Sequence, residues 1–344
     1  MKALNLDQYD AVVVMSGDGL IHEVINGFAE HPQAREALRM PIAPIPSGSG
    51  NALAVNVLGP QDGYNVSAAA LNVVKGMYIG RLMAMDLCAI SQGGKSSFSF
   101  LSQAVGMFAN LDLGTEHLRF LGSNRFVLGY IYEALRKKPC PVKLSMKLVD
   151  SDRKRMLRNL HERQSRARAQ FALEHDPLNM GPTTGSSDET LSNESTVQLS
   201  KSPGSPPAML SAEEDGWVTF NEPLLYMYAG NGPWVSREFM QFPVAVSDDG
   251  LIDIVVQDCT ATRWMLLRAI DGAEKGHTYW MSTQHYFKVL AYRIEPYSKG
   301  HLSVDGERYP FMRIEVESHR GAARVLSPYG FWQAEFSAPE DGTK

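Results

Sequence analysis

The sequence predicts an α/β plus β fold: a partial, open α/β nucleotide-binding domain followed by a mostly antiparallel β-sandwich domain. Three observations carry this. The apolar run Ala11-Val12-Val13-Val14-Met15 stops at Ser16-Gly17-Asp18-Gly19 and gives way to a helical pattern. Such a run bounded by Ser and Gly reads as a strand of a parallel sheet covered on both faces. The order recurs at Pro41 to Ile45, the turn Pro46-Ser47-Gly48-Ser49-Gly50, and a helix from Asn51 to Val57. Strand, glycine turn and helix, repeated, is the pattern of an open α/β sheet. From about Met83 short β-prone stretches take over, many separated by Pro, Gly and Asp turns.

In the first helix Leu20, Val24, Ile25 and Phe28 form an apolar face at i, i+4, i+5 and i+8. The later strands are expected at Met83 to Ile90, Trp217 to Phe220, Leu224 to Ala229, Leu251 to Gln257, Tyr286 to Ile294 and Arg313 to Val316. One helix, about Thr262 to Ala273, interrupts them. Ser151 to Ala169 is rich in Arg and Lys, and Asp176 to Glu214 is polar and rich in Ser, Thr, Pro and Gly. The second stretch cannot bury enough apolar surface to offset its ordering entropy and reads as a disordered insertion. The expected organisation is an α/β unit over 1–82, a β-rich unit over 83–338 interrupted by the 151–215 insertion, and a tail over 339–344.

Of the 344 residues 44% are hydrophobic, enough for a sizeable core. A net charge of −5 argues against a nucleic-acid partner. Cys88, Cys140 and Cys259 are scattered, without C-x-x-C spacing, so neither a disulfide framework nor a structural zinc site is expected. A reducing, cytoplasmic setting follows. The N-terminus lacks a signal peptide's apolar core, and no stretch reaches the roughly 18 to 20 apolar residues of a membrane span. Membrane contact is expected to be peripheral.

Glycines before a helix let the backbone approach an anion, and the free N–H groups there favour phosphate. Gly17 and Gly19 flank Asp18, and Gly48 and Gly50 flank Ser49, each turn at the carboxyl end of a strand where open sheets place ligands. An acid in such a turn could take or orient the proton of an attacking hydroxyl. A lone Gly-Asp-Gly is more often a tight turn, and spacing takes the matter no further.

The block Ser16-Gly17-Asp18-Gly19-Leu20-Ile21-His22-Glu23-Val24-Ile25-Asn26-Gly27 resembles the signature of the diacylglycerol kinase-type lipid kinases. Ser16, together with Pro46-Ser47-Gly48-Ser49-Gly50-Asn51-Ala52-Leu53-Ala54, resembles the sphingosine kinase branch. Two further blocks agree: Gln103-Ala104-Val105-Gly106 through Asn110-Leu111-Asp112-Leu113 with Arg119, Leu121-Gly122 and Arg125-Phe126, and then Val304-Asp305-Gly306-Glu307. The resemblance implies an ATP- and Mg²⁺-dependent kinase acting on the primary hydroxyl of a sphingoid base (sphingosine, dihydrosphingosine or phytosphingosine) at an intracellular membrane surface. It implies Asp18 as base, with Ser16, Gly17, Gly19 and Asp112 on the substrate side and Asp112 pairing with the lipid ammonium. Glu23, Gly48, Ser49, Gly50, Arg119, Arg125, Asp305, Gly306 and Glu307 would serve the ATP side; no metal ligand is assigned. Members of the family usually carry a glycine-rich nucleotide loop and a Thr-Glu-Arg-type segment ahead of this block. Only Met1 to Met15 precede Ser16 here, so part of the ATP cradle is expected to be missing. Alternatives are a ceramide or diacylglycerol kinase, or a non-catalytic lipid-binding remnant.

Other features have structural readings. Asp112 could be an ordinary turn or ion-pair acid, and Arg119 and Arg125 solvated arginines. His22 and His117 read as local packing, Asp248-Asp249-Gly250 as a hairpin turn, and Tyr279-Trp280 with Tyr286-Phe287 as core. The Arg153 to Arg168 run reads as a solvated helix face, with an anionic-membrane patch as the alternative. Ser202-Pro203 and Ser205-Pro206 could be phosphorylated.

Overall fold

The computed structural model describes residues 1–78, 81–115, 124–174 and 208–339. The chain opens with β1 (Val12–Ser16), α1 (Asp18–Ala29), a one-turn α2 (Ala34–Ala37), β2 (Ile42–Pro46), α3 (Ala52–Asp62) and α4 (Val66–Tyr78). β1 and β2 pair in parallel from Val12 opposite Ile42 to Ser16 opposite Pro46, so both glycine turns leave the same edge of the sheet. Helix α1 buries Ile21, Val24, Ile25 and Phe28 against Val14, Ile42, Leu53 and Val57. These four positions fall on one helical stripe, which is why the segment is a helix and which way it faces. Leu20 lies off the stripe and is exposed. Helix α3 kinks at Gly59 (φ 86°), just before Pro60.

The expectation that the first strand is covered on both faces is corrected. β1 is the terminal strand in the sheet order. Val14 is buried under α1, but Val13 is 46% and Met15 64% exposed. An unbroken apolar run does not guarantee two-sided burial when a helix covers only one face.

The rest of the chain gives β3 (Arg81–Gln92), β4 (Lys95–Ser99), β5 (Ser102–Gly106), α5 (Met107–Gly114), α6 (Asn124–Arg136), β6 (Val142–Asp150) and α7 (Arg153–Glu174). Then come β7 (Leu210–Ala212), β8 (Val218–Phe220), β9 (Leu224–Gly230), β10 (Trp234–Ser236), β11 (Phe239–Met240) and β12 (Ile252–Asp258). Last are α8 (Arg263–Arg268), β13 (Gln284–Pro296), β14 (Leu302–Val304), β15 (Glu307–Tyr309) and β16 (Ile314–Ser327). Hydrogen bonds join all of these strands except the β10–β11 pair into one sheet, along the path β1-β2-β16-β13-β12-β9-β5-β14-β15. Beyond the β1–β2 and β2–β16 contacts the pairings are antiparallel. The long strands β3 and β16 pair along most of their lengths, and β16 also reaches β2 through Val325 opposite Ile42.

The sheet folds over on itself. One core holds Ile90, Val105, Met227, Ile254, Phe287, Tyr292 and Val316. The opposite face packs Phe108, Tyr228, Val255 and Tyr286 against the helices. Alternation along β12 divides the two, with Ile252, Ile254 and Val256 on one side and Val255 on the other. Tyr279, Tyr286 and Phe287 are buried, as expected for core.

Two expectations shift. The basic run is not merely a solvated face: α7 buries Met156, Leu157 and Leu160 in the core beside Tyr279 and Phe336. Each such side chain is worth roughly 1.5 to 3 kcal/mol when fully buried. Several of its arginines are engaged, Arg153 with the carbonyls of Met281 and Gln284, Arg155 with Asp150 and Arg163 with Asp248. The 151–215 insertion therefore begins with a packed helix and ends with strand β7; its middle lies outside the described residues, as do Ser202 and Ser205. The expected helix from Thr262 to Ala273 also ends early. Thr262 caps α8 by accepting from the Met265 N–H at 3.2 Å, but a left-handed Gly272 (φ 77°) follows and short 3₁₀ turns replace the helix. Among the described residues no helix is long and apolar enough to cross a membrane.

Candidate active site

The two glycine turns interlock. Asp18 opens α1, and its backbone N–H donates to the Gly50 carbonyl at 3.1 Å. Its carboxylate accepts from the N–H of Ala52 at 2.7 Å and of Leu53 at 3.1 Å, the first free donors of α3. Asp18 thus complements the positive end of a helix to which it does not belong. Asn51 ties the second turn, accepting from the Gly48 N–H at 3.0 Å and donating to the Gly48 carbonyl at 2.7 Å. Burial pushes the Asp18 carboxyl up to about 6, against the pull of the two N–H groups.

Both turns require glycine. A Cβ on Gly17 would stand 2.6 Å from the Gly50 carbonyl oxygen, and one on Gly48 2.6 Å from the Gly17 nitrogen. Neither obstacle is a flexible side chain. Gly48→Ala is expected to destabilise the protein by about 1 to 3 kcal/mol, as overpacking does. Thermal unfolding of the variant checks this, and an unchanged Tm would show that the turns are looser than their contacts indicate.

A third turn comes from the far end of the chain. Asp305 (φ 50°) and Gly306 (φ 84°) connect β14 to β15, with Val304 opposite Glu307. Two successive positive-φ residues make the tight hairpin turn that Asp-Gly favours. The Asp305 carboxylate accepts from the Ser99 hydroxyl at 2.6 Å, from the N–H groups of Leu101 at 3.1 Å and Ser102 at 2.9 Å on the same oxygen, and from the Phe100 N–H at 3.2 Å on the other. His22 Nδ1 lies 2.7 Å from that second oxygen, and with its proton on Nδ1 it donates to it. Burial lowers the His22 imidazole, but the Asp305 hydrogen bond and charge outweigh it and leave it raised. His22 is therefore not a locally packed side chain, and that expectation is corrected. It latches α1 to the β14–β15 turn. Asp305 gives both its oxygens to this internal network, whereas Glu307 stays exposed beside the first turn, 3.4 Å from where a Gly19 Cβ would stand.

Asp112 lies on α5, half-buried, and accepts from the Ser303 hydroxyl at 3.0 Å. Burial raises its carboxyl to about 6, opposed by Ser303 and by the charge of Arg125. It lines a cavity of about 210 Å³ whose walls include Phe108, Leu111, Phe126, Tyr130, Tyr228 and Phe239. Helix α5 can start there because Gly106 (φ 75°) leaves no Cβ to strike the Leu225 carbonyl and Tyr226. Arg125 is buried, donates to the Thr115 carbonyl at 3.3 Å and stacks over Phe126. Arg119 and His117 lie outside the described residues. Glu23 and Ser49 are exposed and Ser16 is half-buried.

The β14 strand connects these parts. Ser303 holds Asp112, and Asp305, two residues on, holds His22, one turn along α1 from Asp18. The buried hydroxyl of Tyr228 registers the result. Burial raises it first, and the charges of Asp112, Asp305 and Asp18 all add to the rise. Three acids separated widely in sequence therefore lie within electrostatic reach of one tyrosine on the cavity wall. Sequence reasoning missed Tyr228, Ser99 and Ser303, which carry no local signal, and passed over His22, whose partner is 283 residues away. Asp249, read as a turn acid, accepts from the Leu251 N–H in that turn and also forms a buried ion pair with Lys288 at 2.9 Å. Among the described residues no three His, Cys, Asp or Glu side chains group as a metal site.

Residues 1–88 match the diacylglycerol kinase catalytic domain. The chain is 32% identical over 336 residues to sphingoid long chain base kinase 4 of Schizosaccharomyces pombe, covering 96% of this chain and 65% of that protein. It is 27% identical to sphingoid long chain base kinase 5 of Saccharomyces cerevisiae, covering 92% and 50%, and 26% identical to sphingosine kinase 1 of Arabidopsis thaliana, covering 95% and 65%. The chain thus spans about half to two thirds of the length of these relatives. A solved structure of a candidate diacylglycerol kinase from Bacillus anthracis str. Sterne shares the fold, with a TM-score of 0.55 at 16% identity over 94% of this chain and 80% of that one.

Proposed function

We propose that this chain, which belongs to the sphingoid base kinase branch of the diacylglycerol kinase-type lipid kinases, transfers the γ-phosphoryl group of ATP to the primary hydroxyl of a sphingoid base. The observation that carries the reading is Asp112, a carboxylate on the wall of an apolar cavity, tied through β14 to the turn that carries Asp18. An apolar cavity suits an alkyl chain, and a desolvated carboxylate at its wall suits an ammonium close to the reacting hydroxyl. Neither ceramide nor diacylglycerol offers that cation, so Asp112 favours the sphingoid base over both.

The lipid hydroxyl oxygen attacks the γ-phosphorus, the bond to the ADP oxygen breaks, and the hydroxyl proton passes to the Asp18 carboxylate. A carboxylate raised to about 6 is a stronger base than an ordinary one yet remains mostly ionised at neutral pH. Asp112 fixes the amine, so the hydroxyl is presented in one orientation. Gly17, Gly19 and Ser16 shape the turn at the acceptor, while Gly48, Ser49, Gly50 and the exposed Glu23 and Glu307 face the nucleotide together with Gly306; Arg125, buried over Phe126, acts on Asp112 rather than on the phosphates. Asp305 acts as a positioning residue. Mg²⁺, held by the phosphates and at most one or two carboxylates, of which Glu307 is the exposed one at the first turn, would neutralise charge on the transferring group.

The reading is tested with the full-length protein, ATP and three lipids in mixed micelles. Sphingosine is expected to be phosphorylated at least tenfold faster than ceramide or diacylglycerol. Equal rates on the uncharged lipids would overturn amine recognition, and no transfer to any of them would overturn the kinase reading. At a membrane, the protein would act from the surface.

A further inference from the structure

The floor of the apolar cavity is not uniformly apolar. Tyr226, Gln257 and Gln284 stand side by side across β9, β12 and β13, with Gln257 opposite both Tyr226 and Gln284. All three line the cavity and are almost fully buried, at 3%, 1% and 2% exposure. The adjacent row on the same face is Tyr228, Val255 and Tyr286, and Tyr228 is the tyrosine within electrostatic reach of Asp112. The polar row therefore lies one pleat repeat along the sheet from the row of Tyr228. By strand geometry Gln284 stands on the order of 12 Å from Tyr228.

Within this wall the hydrogen bonds are incomplete. Gln284 donates its amide N–H to the Tyr226 hydroxyl at 2.9 Å, and Gln257 donates to the Thr283 carbonyl at 2.7 Å. Gln284 and Thr278 both line the cavity, and the Gln284 Oε1 and the Thr278 hydroxyl, both closed to solvent, make no hydrogen bond among the described residues. Turning the Gln284 amide over exchanges its two atoms and still leaves one polar atom unpaired. A buried unpaired group is destabilising, and a cavity shaped for a plain alkyl chain would be lined as well by Leu or Met.

We infer that this cavity recognises a lipid chain carrying a hydroxyl well away from the amine, with the hydroxyl donating to Gln284 and accepting from Thr278. The inference rests on the reading of the cavity as the lipid site and adds a specificity to it. An unsubstituted chain leaves both protein groups unpaired, which is the strongest form of discrimination against a missing hydroxyl.

The test is equilibrium dialysis of the full-length protein against radiolabelled dihydrosphingosine and the same base bearing one further hydroxyl near mid-chain. The hydroxylated base is expected to bind about tenfold tighter or better. In the Gln284→Leu/Thr278→Val protein, and independently in Gln284→Met, the preference should vanish and the unsubstituted base should gain affinity; near-UV circular dichroism confirms that each variant is folded. Equal binding of the two bases by the natural protein, or a preference that survives in folded variants, overturns the inference alone. Binding of neither base overturns the lipid reading of the cavity and the inference with it.

Discussion

Asp18→Asn is expected to lower kcat by about 10²- to 10⁴-fold while leaving the lipid KM near its natural value, because the amide cannot take the proton of the attacking hydroxyl. The loss should not be one of folding. Asp18 has a carboxyl raised to about 6 in the folded protein, so the native state holds its proton more tightly than the unfolded chain does. Its contribution to stability is fully present below the ordinary carboxylate range and is lost as pH rises through about 6. At neutral pH the ionised group therefore costs roughly 3 kcal/mol relative to an unperturbed carboxylate. Asparagine removes that cost but faces one of the Ala52 and Leu53 N–H groups with a donor, a loss of about 1 to 3 kcal/mol. The two effects offset, and Tm should move little. Turnover measured from pH 5 to pH 8 should fall below about pH 6 in the natural enzyme. Unchanged turnover in Asp18→Asn would exclude the residue as base.

Asp112→Asn should separate binding from stability in opposite directions. Loss of a desolvated partner for the lipid ammonium is expected to cost roughly 2 kcal/mol or more, about 30-fold in Kd for sphingosine. Binding of an N-acylated analogue should be unaffected. The variant should nevertheless melt higher than the natural protein at pH 7, since asparagine still accepts from Ser303 and carries no charge to desolvate. At pH 5, where a carboxyl raised to about 6 is already protonated, that advantage should vanish. A purely structural aspartate would lose stability on substitution, so parallel falls in Tm and affinity would overturn the ammonium role. Titration calorimetry and thermal melts at the two pH values supply both readings.

The glycine turns and Asp18 were legible in the sequence because their chemistry is local: strand, turn and helix follow one another within a dozen residues. The later strands were legible for the same reason, through alternation and turn residues. What escaped depends on distant parts of the chain. His22 carries no sign of Asp305, and Asp112 points to an amine site only through resemblance until Ser303 and the cavity wall are placed beside it. Composition misled at α7, where Met156, Leu157 and Leu160 are hidden among seven basic residues. At α8 the apolar pattern continued past the point where Gly272 turned the backbone.

The contact between β16 and β2 also bears on how the molecule is assembled. Among the described residues β2 pairs with β1 on one side and with β16, nearly 300 residues later, on the other. The glycine turns are made well before β16 and before the β14–β15 hairpin that latches them. The sheet is therefore closed by a non-local contact, the class of contact that forms slowly.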